Sequence, residues 1–162
     1  MNVADDILYS GTVAGAMEAS LLGVPAIAIS QRHGREDPVD YAASRLYGEQ
    51  VIRHILELGI PPRTIMNVNF PKTDPANIKG VKPAHLDQHK LGDVVVNGDG
   101  PNHYRLGPLH SNPETSDGSD RAVLNDSWIS LTPLMMDVTA HHLLDQLPIL
   151  DIAAAKSAYY DR

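Results

Sequence analysis

The sequence predicts an α/β fold with a projecting hairpin and a helical tail. Three observations carry this. Residues 6–30 read as strand, turn, helix, strand; Thr64–Phe70 and Trp128–Leu134 return to strand; and between those two strands, residues 74–115 lose helical periodicity. Ile7–Tyr9 and Ala26–Ile29 are short apolar runs between small, turn-forming residues, as expected of strands buried in a parallel sheet. Helix formers from Val13 to Leu22 lie between them, and Gly23 and Pro25 stop the helix.

A polar connection, Gln31 to Pro38, leads to a second helix, for which Asp37 is the expected N-cap and Pro38 the first helical residue. Tyr41, Leu46, Val51, Ile52, Ile55, Leu56 and Leu58 recur at helical spacing until Gly59 and Pro61-Pro62. Glu49, Arg53 and Glu57 form its solvated face. Thr64–Phe70 alternates as a strand and stops at Pro71. Its Asn67 and Asn69 fall on one face, where they either line a cleft or hydrogen-bond neighbouring backbone.

From Asp74 to Thr115, Gly, Pro, Asn, Asp and His accumulate. Val94–Val96 and His103–Leu106 read as strands around a turn at Asn97-Gly98-Asp99-Gly100. So little apolar content makes no core of its own. The segment is then a lid or an arm that packs on another subunit, and the arm is the expectation. A short helix is predicted at Arg121–Asn125, and the tail holds helical pieces near Ala140–Leu147 and Leu150–Tyr160, split by Pro148. That tail is a second candidate for subunit contact. The expected division is a single domain: an α/β core at 1–72 and 117–139, an arm at 73–116 and a tail at 140–162.

The bulk properties exclude several classes. With 162 residues, 43% of them apolar, there is room for one domain with a sizeable core. Zero cysteines rule out disulfides, thiolate metal sites and a cysteine nucleophile, and fit a cytoplasmic protein. A net charge of -7 argues against binding a nucleic-acid polymer. No apolar run reaches the ~18 residues that would cross a bilayer. The predicted strands also fall short of the usual ~5 per sheet, so a further segment upstream is expected.

Chemistry concentrates where the first strand meets the first helix. Unpartnered N–H groups of the first helical turn and the helix dipole attract anions, and Gly11 carries no Cβ to keep a phosphate away. Ser10 and Thr12 add hydroxyl donors. The plainer alternative is an N-cap and a tight turn. Among the histidines, His85 and His89 stand four apart, but Pro83 and Gly92 argue against a helical zinc pair, so they are read as surface residues. Asp137 precedes His141 by four and suits local carboxylate–imidazole pairing. No Gly-x-Gly-x-x-Gly fingerprint supports a dinucleotide site.

Five segments together resemble the SurE family of stationary-phase survival proteins. They are Asn2 with Asp5–Glu18, Gly23–Ser30, Asn67–Pro71, Asp117–Asp120, and Ser130–Leu134 with Asp137, Thr139, Ala140 and His141. The resemblance implies a partial Rossmann-like, three-layer fold and a metal-dependent phosphatase that cleaves nucleoside 5'/3'-monophosphates. It also implies Mg2+ or Mn2+ as cofactor, a homodimer or homotetramer, and a cytoplasmic location. It assigns phosphate binding to Ser10, Gly11 and Thr12, and metal binding to Asn2.

The departures are as informative. Members of that family begin with a strand ending in Asn-Asp-Asp-Gly, whose aspartates hold the cation together with a serine and a later asparagine. Of these only the asparagine is present, as Asn2; Asp5-Asp6 align with acidic residues that follow it. Trp128 and Ser127 replace a tyrosine and a small residue. The chain is thus expected to correspond to the C-terminal part of such an enzyme, with the catalytic aspartates absent and the metal weakly held or missing. The alternative is a non-catalytic remnant or an oligomerisation module.

Overall fold

A computed structural model of the chain describes residues 1–34, 38 and 40–149. Helix α1 spans Gly11–Leu21 and leads to strand β1, Ala26–Gln31. Helix α2, Ala42–Leu58, then precedes β2, Thr64–Phe70. Short β3 (Val81–Pro83) is followed by the hairpin strands β4 (Lys90–Asn97) and β5 (Tyr104–Ser111). The chain returns through α3 (Asp120–Asn125) to β6 (Ile129–Met135) and the short α4, His141–Leu144.

Four strands form one sheet in the order β1-β2-β6-β3, with β1 parallel to β2 and β6 antiparallel to it. Because side chains alternate across a strand, β2 serves both faces. Val68 and Phe70 join Ala43, Val51 and Ile55 of α2, together with Ile129 and Leu131. On the opposite face Ile65 packs with Val13 and Ala16 of α1, Ala28 and Leu134. Helices therefore cover both faces, the three-layer arrangement expected of an α/β fold. Each fully buried Ile or Phe side chain contributes about 1.5–3 kcal/mol to holding the layers together.

The α1-side face changes character along its length. Asn67 lies opposite Thr132, and Asn69 opposite Ser130, so beyond Ile65 and Leu134 the face turns polar. All four of these polar residues are buried. They form the floor under the N-terminal segment.

The predicted strand at Ile7–Tyr9 is instead a 3-10 helix, Ala4–Tyr9. A three-residue apolar run carries no period that separates strand from helix. The outcome is decided upstream: Ala4 adopts a left-handed backbone (φ 49) with its N–H bound to the buried Asp120 carboxylate, 2.8 Å away. The turn sends Ile7 into the core and leaves Leu8 and Tyr9 exposed.

Helix α2 starts later than expected. Pro38 is not helical, Asp37 lies outside the described residues, and Asp40 Oδ1 accepts from Ala42 N at 2.8 Å to tie the first turn. In the tail only His141–Leu144 is helical within the predicted 140–147 piece, and the predicted 150–160 piece lies outside the described residues. The strand assignments at 26–29, 64–70 and 128–134, the helix at 121–125 and the hairpin all correspond to elements found.

Candidate functional site

Ser10 is the N-cap of α1, its Oγ accepting from Val13 N at 3.2 Å. The same hydroxyl donates to Asn2 Oδ1 at 2.7 Å. Gly11 and Thr12 are exposed, and a Cβ placed on Gly11 would meet nothing within 4 Å. The turn is therefore open rather than plugged by side chains, and it stands beside Asn2.

Asn2 is buried and held from below. Asn67 Nδ2 and Asn69 Nδ2 both donate to its carbonyl oxygen at 2.8 Å, and its own N–H donates to Asn69 Oδ1 at 3.0 Å. Asn67 and Asn69 thus bind backbone, one of the two alternatives their shared face allowed. Asn2 Nδ2 and Asn67 Oδ1 are buried without a hydrogen-bond partner, as are the hydroxyls of Ser130 and Thr132.

Asp120 fastens the next residues. Its Oδ2 accepts from Ala4 N, and its Oδ1 from Arg121 N at 2.8 Å and Asp87 N at 3.2 Å. Burial pushes this carboxyl above the ordinary carboxylate range, against the pull of those N–H groups. Asp87 shows the opposite balance: burial again raises its carboxyl, but hydrogen bonds from Gln88 N and Ser116 bring it below the usual value.

His89 corrects the surface reading. His85 is exposed, but His89 is buried, its Nε2 3.5 Å from Asp6 Oδ2 and its Nδ1 3.9 Å from Asp5 Oδ2. His89 N also donates to Asp5 Oδ2 at 3.0 Å. The two aspartates therefore face the base of the hairpin, where His89 lies 84 residues beyond Asp5 in sequence. No local signal reveals such a pairing.

That base is pinned a second time by Arg121, which donates to the carbonyls of Asn112 (2.8 Å) and Glu114 (3.1 Å) and pairs with Asp87 at 3.3 Å. A cavity of about 490 Å³ opens there beside His85, Gln88 and Ser116. Another, of about 340 Å³, lies at the carboxyl ends of β1 and β2 between Gln31, His33 and Lys72. Neither takes in Ser10, Gly11 or Thr12.

Asn2 was the sole metal ligand expected. Magnesium and manganese favour about six oxygen donors, with carboxylates among them. Asn2 offers one neutral amide oxygen, already accepting from Ser10. Among the described residues no group of three or more His, Asp or Glu is placed to hold a metal ion. The donors present do not by themselves fit such an ion. Asp137, which pairs with His141 at 2.7 Å, stands on the exposed tail; hydrogen bonds from Thr139 first, then His141, hold its carboxyl far below the ordinary value.

Comparison with known proteins gives a consistent result. The sequence model of the family described as "Survival protein SurE" matches residues 1–93. A "5'-nucleotidase SurE" of Afipia carboxidovorans is 35% identical over an alignment of 158 residues that covers 90% of this chain and 60% of that protein. Its counterpart in Methylobacterium radiotolerans is 40% identical over 144 residues, covering 85% of this chain and 57% of the relative. The crystal structure of the SurE protein from Aquifex aeolicus superimposes with a TM-score of 0.77 at 30% identity, over 91% of this chain and 60% of that one. The chain spans about 60% of the length of the relatives it matches.

Proposed function

Since the chain belongs to the SurE family, we propose that it supplies the phosphate-holding turn of a metal-dependent phosphatase acting on nucleoside 5'/3'-monophosphates. One observation carries this: the Ser10–Thr12 turn is uncovered at the head of an eleven-residue helix, with the Asn2 amide at its side. The N–H groups of the first turn of α1 and the Thr12 hydroxyl bind and orient phosphoryl oxygens, while the Ser10 hydroxyl, donating to Asn2 and accepting from Val13 N, holds the turn in place. Gly11 lets the anion approach the backbone. A divalent cation such as Mg2+ or Mn2+ would supply Lewis-acid polarisation of a phosphoryl oxygen.

Because the donor set around Asn2 does not fit that cation on its own, weak or no hydrolysis is expected from this chain alone. The check is release of phosphate from AMP with Mg2+ or Mn2+, measured beside a longer relative of the family. Turnover equal to the relative's overturns the expectation.

The hairpin supports a homodimer or homotetramer. Strands β4 and β5 pair with each other and form no part of the main sheet, and a two-stranded ribbon is marginal by itself in water. Val95 and Tyr104 on it are 61% and 66% exposed. Leu143, Leu144, Leu147 and Ile149 of the tail are exposed too. These same surfaces favour the second reading, an assembly module without catalysis. A cytoplasmic location accords with the lack of cysteine; among the described residues no helix is long and apolar enough to cross a membrane.

A further inference from the structure

Granted the phosphate-holding role of the Ser10 turn, on which this rests, we propose that Asn69, backed by Asn67, is a positioning residue that acts through Asn2. The Asn69 amide engages both polar groups of the Asn2 main chain, accepting from N–H at 3.0 Å and donating to C=O at 2.8 Å. This two-point grip copies the pairing of one peptide unit with another, and it leaves the Asn2 main chain little freedom to rotate. Asn67 adds a second donor to the same carbonyl.

The consequence reaches the surface through one further bond. With its main chain held, Asn2 keeps its Oδ1 within 2.7 Å of Ser10 Oγ, and that Oγ caps α1 at Val13 N. A hydroxyl that caps a helix through its oxygen and gives its proton to Asn2 has a defined orientation. Asn69 thus keeps Ser10 Oγ seated as the cap of α1, which holds the N–H groups of the first turn toward the anion, without touching the anion itself.

The geometry also explains why two neutral amides occupy a fully buried strand face where Ile65 and Leu134 pack a few residues away. An apolar pair there would strand the Asn2 N–H and C=O in a dry interior. Side chains that merely filled space would not need both a donor and an acceptor. Asn69 has both, and uses them on one residue.

A double-mutant cycle tests this. Inorganic phosphate with MgCl2 is titrated into the chain, into Asn69→Leu, into Ser10→Ala and into the double variant. Val51→Ala, on the α2 side of the sheet, serves as the stability control. Asn69→Leu is expected to weaken phosphate about tenfold in the parent. In the Ser10→Ala background the further loss is expected to stay below about twofold, since the two residues act along one chain of contacts. Val51→Ala is expected to lower the melting temperature and leave phosphate affinity unchanged.

Equal losses in both backgrounds, or an unchanged affinity in Asn69→Leu, overturn the positioning role. A parent chain that binds no phosphate overturns the reading of the turn instead. The role of Asn69 is then decided by NMR: the contact between the Asn2 side-chain amide and Ser10 is expected in the parent and in Val51→Ala and lost in Asn69→Leu. Its survival in Asn69→Leu overturns the proposal.

Discussion

Asp120→Asn is expected to destabilise the fold by about 1–3 kcal/mol at neutral pH, the cost of leaving a buried donor without an acceptor. An asparagine in that position retains one acceptor oxygen, enough for Arg121 N and Asp87 N, but turns an NH2 group toward Ala4 N. Two donors then face each other in a site with no solvent access. Ala4 sits at φ 49, a conformation that L-residues adopt at a cost of about 1–2 kcal/mol and that persists only when neighbours enforce it. With the tie gone, the 3-10 helix at Ala4–Tyr9 loosens, and hydrogen exchange at its amides accelerates.

The pH dependence has a definite sign. Burial raises the Asp120 pKa in the folded state above its unfolded value, so the folded chain holds the proton more firmly. This contribution is complete below the unfolded pKa and is lost as pH rises through the folded one. The asparagine variant lacks it, so the stability gap between parent and variant is expected to narrow as pH rises through that window. Urea denaturation of both chains across the window measures the gap; one that widens with pH contradicts the assignment.

Gly11→Val is expected to leave the fold intact and to weaken phosphate at least tenfold, about 1.4 kcal/mol of binding free energy. Gly11 is the first residue of α1 and has no positive φ, and a Cβ there meets nothing within 4 Å. The folded chain therefore accommodates the side chain, with a stability change within about 0.5 kcal/mol. What it blocks is the approach of an anion to the N–H groups. If Ser10 and Gly11 are only cap and turn, the variant binds phosphate as the parent does. Calorimetric titration and thermal melting separate the outcomes cleanly, which Ser10→Ala alone does not, because loss of the cap itself costs about 1 kcal/mol.

Much of this was legible in the residues themselves. Alternation in Thr64–Phe70 put Asn67 and Asn69 on one face, and Ser-Gly-Thr before a run of helix formers located the head of α1. Their meeting at Asn2 was not legible, since the partners lie 65 and 67 residues apart and nothing local encodes that contact. Asp120 stands just before the helix predicted at Arg121–Asn125 and is the first residue of α3; its burial beneath Ala4 depends on how α3 docks. His89 was misjudged because polar neighbours suggest a surface, whereas Asp5 and Asp6 approach it from the far end of the sequence. At Ile7–Tyr9, three apolar residues were too few to reveal a period.

The strand order carries a consequence for synthesis. Among the described residues β6 is the last strand in sequence, and it sits between β2 and β3. A nascent polypeptide emerging from the ribosome can join β1 to β2 early, but among the described residues β3 pairs with no strand until residues 129–135 arrive. Until then Val68 and Ile65 lack the cover that Leu131 and Leu134 later provide. Closure of the sheet is thus a long-range, late event, and the half-made intermediate presents an unpaired strand edge, the kind of surface on which chaperones act.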